Sequence, residues 1–218
     1  MEVQKIHALI HQATIVESEN KHLSKQIDDQ IEMLRHTMDL PEEDACSVVC
    51  EFALQYISHT PVFMECLYLA SAQTGVESFI HPFLDIAEEN FLSPITQSNR
   101  LVGLDDLLDK AYFTHRLIEE LNDYYLIKSG VALIPVNLTW SNLIIHSILG
   151  EPFANDIDTI IEQTVQQIMR SQAIYNKKQF DAFINMKQRD EWIHLLTGLG
   201  KSSKTLDIEL KFTAQHYC

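Results

Sequence analysis

The sequence predicts an all-α protein: a multi-helix bundle led by a long N-terminal helix, with at most one short strand pair near the C-terminus. Three observations carry this expectation. Apolar residues recur at helical spacing over most of the chain. Only six glycines and six prolines fall in 218 residues, which suits long helices with short joints. The composition is 46% hydrophobic and 22% charged, enough to bury a real core and too apolar for a disordered chain. Residues 1–200 read as a single helical domain, and 201–218 as a strand-like or disordered tail.

The elements follow in order. Residues 3–38 hold neither Gly nor Pro and read as one helix. Leu9, Ala13, Val16, Asn20, Leu23, Ile27, Gln30 and Leu34 alternate by four and three, while Ile6, Ile10, Ile31 and Met38 widen the stripe. A coiled-coil dimer would pair Gln12 with Glu17, Glu19 with Ser24 and Gln26 with Ile31, none of them an ion pair. Packing on the chain's own bundle is therefore favoured, and an oligomer stays open.

Pro41, Glu42, Glu43 and Asp44 read as a helix start, with proline in the first turn and acids at the positive end of the helix dipole. That helix should reach about Ser58, and Thr60-Pro61 should start another over 61–73. Residues 76–92 form the next, with Pro82 as a kink point. Residues 93–103 are a loop, 104–128 a long helix closed by Gly130, and 131–136 an extended piece around Pro135. An apolar helix at 138–149 ends at Gly150-Glu-Pro152; another runs from about Asn155 to Lys177-Lys178, with continuation to about Leu196. In the tail Leu206, Ile208, Leu210 and Phe212 alternate with polar residues, a strand signal whose obvious partner is 131–136.

The net charge is −15 with a pI near 4.9. That disfavours nucleic acid and anionic membranes, both of which are gripped by clustered Lys and Arg. The charge is uneven: between Arg35 and Arg100 lie no Lys or Arg and ten carboxylates, Asp39, Glu42, Glu43, Asp44, Glu51, Glu65, Glu77, Asp85, Glu88 and Glu89. A basic protein or polycation is the natural partner class for this acidic 36–99 face. No apolar run approaches the roughly 18 residues of a membrane span. The opening Met-Glu-Val-Gln-Lys-Ile-His lacks the pattern of a signal peptide. Four cysteines make no disulfide framework, so they read as reduced and the protein as cytoplasmic. Cys46 and Cys50 stand one helical turn apart; redox or metal use is open to them, but buried packing is the commoner role.

Candidate site residues are those on the wrong face. On 76–92, Glu77, His81, Asp85 and Glu88 share a side opposite Phe79, Ile80 and Phe83, which reads as a solvated face. On 104–128 the result is reversed. With His115 at 0°, Glu119 falls near 40° and Asn122 near 340°, among Leu108, Ala111, Tyr112 and Ile118. Glu65 is the only formal charge from Phe52 to Val76, and His146 interrupts Leu143-Ile-Ile-His-Ser-Ile-Leu149. Glu65, His115, Glu119, Asn122 and His146, with Asn20 if it joins, form a candidate buried polar pocket.

Two functions fit such a pocket. In one it binds a metal or small-molecule cofactor, with His115 as ligand or acid/base, Glu65 and Glu119 as carboxylate ligands or orienters, and His146 as a second ligand. In the other it is a satisfied structural network that fixes helix register, and the chain is a binding or interaction protein without catalysis. The Glu-x-x-His pairs of a di-metal bundle occur at Glu19/His22 and Glu191/His194, about as often as chance allows, and the full pattern is not met. No zinc, phosphate-loop, nucleophile-elbow or EF-hand motif is present, and no basic helix-turn-helix of a regulator. No catalytic residue, metal ligand or cofactor is assigned from the sequence.

Overall fold

A computed structural model describes residues 2–74, 77–94, 101–129, 134, 136–171 and 209–210. Within them the chain is an all-α bundle of seven helices: α1 Val3–Asn20, α2 His22–Thr37, α3 Ala45–Thr74, α4 Glu77–Leu92, α5 Leu104–Ser129, α6 Thr139–Leu149 and α7 Phe153–Ser171. Strands β1 (Met38–Asp39) and β2 (Glu209–Leu210) pair antiparallel, Met38 opposite Leu210. The strand signal in the tail therefore meets the end of α2; residues 131–133 and 135, in the segment expected as its partner, lie outside the described residues. The helical continuation expected to about Leu196 lies outside the described residues.

Helix α5 is the axis of the bundle and packs against each of the other six helices. Leu107, Leu108, Ala111, Tyr112, Thr114, His115, Leu117, Ile118 and Leu121 are all buried, so nearly every side of its middle is enclosed. Polar residues there must find partners inside, because an unpaired buried polar group costs about 1–3 kcal/mol. This placement builds the site described below.

The single helix expected over 3–38 is two helices. Lys21 adopts a left-handed conformation (φ 54°) and ends α1. The Glu17 carboxylate then accepts from the Leu23 and Ser24 amides at 3.0 and 2.9 Å, capping the orphan N–H groups of α2. The apolar stripe survives the break, since Ala13, Val16, Leu23, Ile27 and Leu34 are buried, but Asn20 is exposed at the elbow and joins no internal network.

The opposite correction applies at Pro61, which lies inside one continuous helix, α3. An interior proline costs a helix roughly 3 kcal/mol. Ile57, Met64 and Leu67 flank it, all buried, and each returns roughly 1.5–3 kcal/mol, so packing outweighs the local break. Pro41 through Asp44 precede α3 as an exposed bend and do not enter its first turn. Arg35 holds that bend by donating to the Pro41 and Glu42 carbonyls at 3.0 and 3.2 Å. At the end of α6, Gly150 takes φ 77°, a conformation open to glycine, and its amide closes the helix on the His146 carbonyl at 2.9 Å.

No helix among the described residues is long and apolar enough to cross a membrane.

Candidate functional site

The clearest site lies where α5, α6 and α7 meet. Tyr112, Arg116 and Glu119 project from α5, and Thr139, Asn142, Leu143 and His146 from α6; both sets have the spacing of one helix face. Asp158 comes from α7. These eight residues line a pocket of about 260 Å³.

Arg116 organises it. Its Nε donates to Asp158 Oδ1 at 2.9 Å, one terminal nitrogen to Glu119 Oε2 at 2.5 Å and the other to Glu120 Oε1 at 2.8 Å. The Tyr112 hydroxyl donates to the same Asp158 oxygen at 2.9 Å. Glu119 also accepts from the Thr139 hydroxyl at 2.7 Å and the Asn142 amide at 2.6 Å. Asn142 in turn accepts from the Tyr56 hydroxyl at 2.6 Å, which carries the network into the core at α3. His146 Nε2 lies 3.0 Å from Asn155 Oδ1 and 3.7 Å from Asp158 Oδ2, and its ring meets Tyr112 edge to face at 6.1 Å.

The charges are unbalanced: one guanidinium serves three carboxylates. Burial alone would lower the Arg116 pKa, but the bonds to Asp158 and Glu119 more than reverse it, so the arginine is permanently charged. Burial pushes the Tyr112 phenol well above its usual range, helped by the Asp158 charge. Burial does the same to Tyr56, with Tyr112 and Glu119 adding to it. Both phenols are thus fixed as neutral donors. Asp158 Oδ2 takes no hydrogen bond from the described residues and lies 3.7 Å from His146 Nε2.

His115 belongs to a neighbouring cluster. Its Nε2 and the Thr60 hydroxyl lie 3.1 Å apart, Tyr56 packs against its ring at 4.0 Å and Phe63 meets it edge-on at 5.1 Å. Nδ1 is buried without a hydrogen-bond partner. Burial, then the nearby His59, holds the His115 pKa down at about 3, so the ring is neutral. Thr60, read from sequence as a helix start, thus serves inside a continuous helix as the partner of a core histidine.

The five residues expected to form one pocket do not converge. Glu119 and His146 line the α5–α6–α7 pocket. His115 lies behind Tyr56, one residue removed from it. Asn122 clamps the chain at Ile134: its amide donates to the Ile134 carbonyl at 3.1 Å and its oxygen accepts the Ile134 amide at 2.9 Å. Glu65 is exposed on α3, because the side of the helix that faces the core carries Thr60, Pro61, Met64 and Leu67. A four-ligand site of Glu65, His115, Glu119 and His146 is therefore not formed, and no group of three His, Cys, Asp or Glu among the described residues is placed to hold a metal ion.

The solvated face expected on α4 is only partly so. Asp85 and Glu89 are exposed, but Glu88 accepts the Glu2 amide at 2.9 Å and so caps the start of α1. His81 stacks on Tyr68 at 5.3 Å with its Nε2 buried.

Sequence reasoning missed Tyr56, Tyr112, Arg116, Thr139, Asn142 and Asp158. Asn142 carried the same signal as His146, a polar residue in a very apolar helix, four positions earlier. Arg116 and Asp158 carried none, since each sits on a face that reads as ordinary amphipathic surface until α7 is laid against α5.

No family model matches the chain, and no curated protein or solved structure is significantly similar to it.

Proposed function

We propose that this chain is a helical binding protein whose α5–α6–α7 pocket takes a small organic cation, such as an alkylammonium or a short diamine. One observation carries the reading: Glu119, Glu120 and Asp158 share the single guanidinium of Arg116 at a partly open pocket. The excess negative charge favours a cationic guest. Asp158 Oδ2 is the acceptor left for it, and Leu143 supplies an apolar wall for an alkyl chain. At about 260 Å³ the pocket is smaller than the roughly 300–1,000 Å³ typical of sites for drug-sized ligands, which suits a short chain. The lining groups are engaged with one another as donors and acceptors, an arrangement suited to recognition.

A thermal-shift series tests it. Diamines of increasing length should raise the melting temperature, with an optimum length, while dicarboxylates of matched length should not. Stabilisation by the dicarboxylates alone would reverse the charge assignment and defeat the proposal.

A second reading rests on a separate surface. Glu42, Glu43, Asp44, Glu51, Glu65, Asp85 and Glu89 are all exposed, in the stretch that contains no Lys or Arg. A basic protein or polycation would be drawn to that 36–99 face, with an affinity that falls as salt rises. Recovery of the same basic partner by a variant with Glu51, Glu65 and Glu89 changed to Lys would remove this face from the account.

A further inference from the structure

The first turns of α3 carry Cys46 and Cys50, whose sulfurs stand 3.9 Å apart. Both are half-buried, over the elbow between α1 and α2. The Cys46 thiol donates to the Ser24 carbonyl at 3.4 Å, and the Ser24 hydroxyl donates to Glu17 at 2.8 Å. The pair is remote in sequence and in its contacts from the α5–α6–α7 pocket.

A disulfide does not suit this pair. Side chains four apart on a helix keep their Cβ atoms about 5–6 Å apart, whereas a disulfide needs about 3.8 Å. Closing it would unwind the start of α3. A bridging metal ion needs no such movement. With metal–sulfur bonds of about 2.3 Å, the observed sulfur separation subtends an angle of about 116° at the metal, between the tetrahedral and trigonal values. No third His, Cys, Asp or Glu completes the set among the described residues, so an ion that needs four protein ligands is a poor match. Two thiolates and one outside ligand suit a soft ion of low coordination number, and thiolate selects Cu(I).

We infer that Cys46 and Cys50 form a two-thiolate site for Cu(I), with a small thiol from solution in the third position. Loading breaks two S–H bonds, forms two Cu–S bonds and releases two protons; the copper does not change oxidation state. Burial pushes the Cys50 thiol up to about 12, with the nearby Ser24 side chain opposing and the Cys46 neighbour adding to it. Cys50 is therefore a neutral thiol in the empty site, and because binding displaces its proton the apparent affinity for copper rises with pH.

The test is an anaerobic competition titration of the full chain against Cu(I) held by a chromogenic chelator. One equivalent should bind. A variant with Cys66→Ser and Cys218→Ser should bind as tightly, and Cys46→Ser or Cys50→Ser alone should weaken binding about 100-fold, because the chelate is lost. Should a serine variant fold poorly, the unmodified chain still decides the matter by alkylation and mass spectrometry. Copper should protect Cys46 and Cys50 together and leave Cys66 reactive. Equal alkylation of Cys46 and Cys50 with and without copper, or protection of Cys66 to the same degree, would overturn the site.

Discussion

The Tyr56 hydroxyl donates a 2.6 Å hydrogen bond to Asn142 Oδ1, across 86 residues of sequence, while the same tyrosine ring packs at 4.0 Å on His115. One side chain thus joins the core histidine to the polar pocket. Tyr56→Phe keeps the ring and deletes the bond, leaving the Asn142 oxygen buried and unpaired. The expected loss is about 1–3 kcal/mol of unfolding free energy in denaturant titration. Because Asn142 also donates to Glu119, ligand affinity should fall too; a Tyr56→Phe protein with unchanged stability would show that water replaces the hydroxyl.

Asn122 is expected to act on the backbone and not on any ligand. Its two hydrogen bonds tie the Ile134 backbone to α5. Asn122→Ala should cost about 1–3 kcal/mol and speed hydrogen exchange at the Ile134 amide. Affinity for a pocket ligand should hardly change. Loss of binding with protected exchange would reverse the assignment.

His115 makes folding sensitive to acid. Its pKa is held at about 3 in the folded chain, against an ordinary 6.5. Between those values the unfolded chain binds more protons, so stability is complete above about pH 6.5 and is lost as pH falls toward 3. The effect is on the order of a few kcal/mol. His115→Phe, which removes the titrating ring, should flatten the acid limb of a stability–pH curve.

Asp109 works in the other direction. Burial, then Asp106 and Asp105, raises its pKa from 3.8 to about 7, with Lys110 opposing. Between those values the folded chain holds the extra proton. Stability from this source is complete below about pH 4 and lost as pH rises through 7. The two slopes oppose each other over the same range, so the parent protein should have a shallow profile from about pH 4 to 7. Asp109→Asn should expose the His115 slope as a steeper loss in acid. Parallel curves for the two proteins would mean that Asp109 ionises normally.

The bundle and most of its helices were legible because burial there follows the helical period. Ile6, Ile10, Ala13, Leu23, Ile27 and Leu34 were read as one stripe and are buried or nearly so. The boundaries misread were those where a distant side chain decides. Glu17 capping α2 splits a Gly- and Pro-free stretch, and packing around Ile57 and Met64 carries α3 through Pro61. The site was half legible. His115, Glu119 and Asn122 stood out because α5 is enclosed on nearly every side, so polar residues on it have to be paired. Glu65 was misplaced because a lone charge in an apolar stretch says nothing about direction; only the neighbours Thr60, Met64 and Leu67 show which way that turn faces. Arg116 and Asp158 could not be paired from sequence, since their contact joins residues 42 apart on separate helices.

Isothermal calorimetry with 1,4-diaminobutane on the parent protein, Asp158→Asn and Leu143→Trp decides whether the α5–α6–α7 pocket takes a cation. Leu143 lines the pocket, is 41% exposed and takes no part in the Arg116 hydrogen bonds, so Leu143→Trp adds bulk to the pocket and removes none of those bonds. One-to-one binding to the parent is expected, weakening with salt, reduced about tenfold or more by Asp158→Asn, and abolished by Leu143→Trp in a protein of normal melting temperature. Binding of equal strength to all three proteins, or no heat from the parent while a matched dicarboxylate binds, would contradict it.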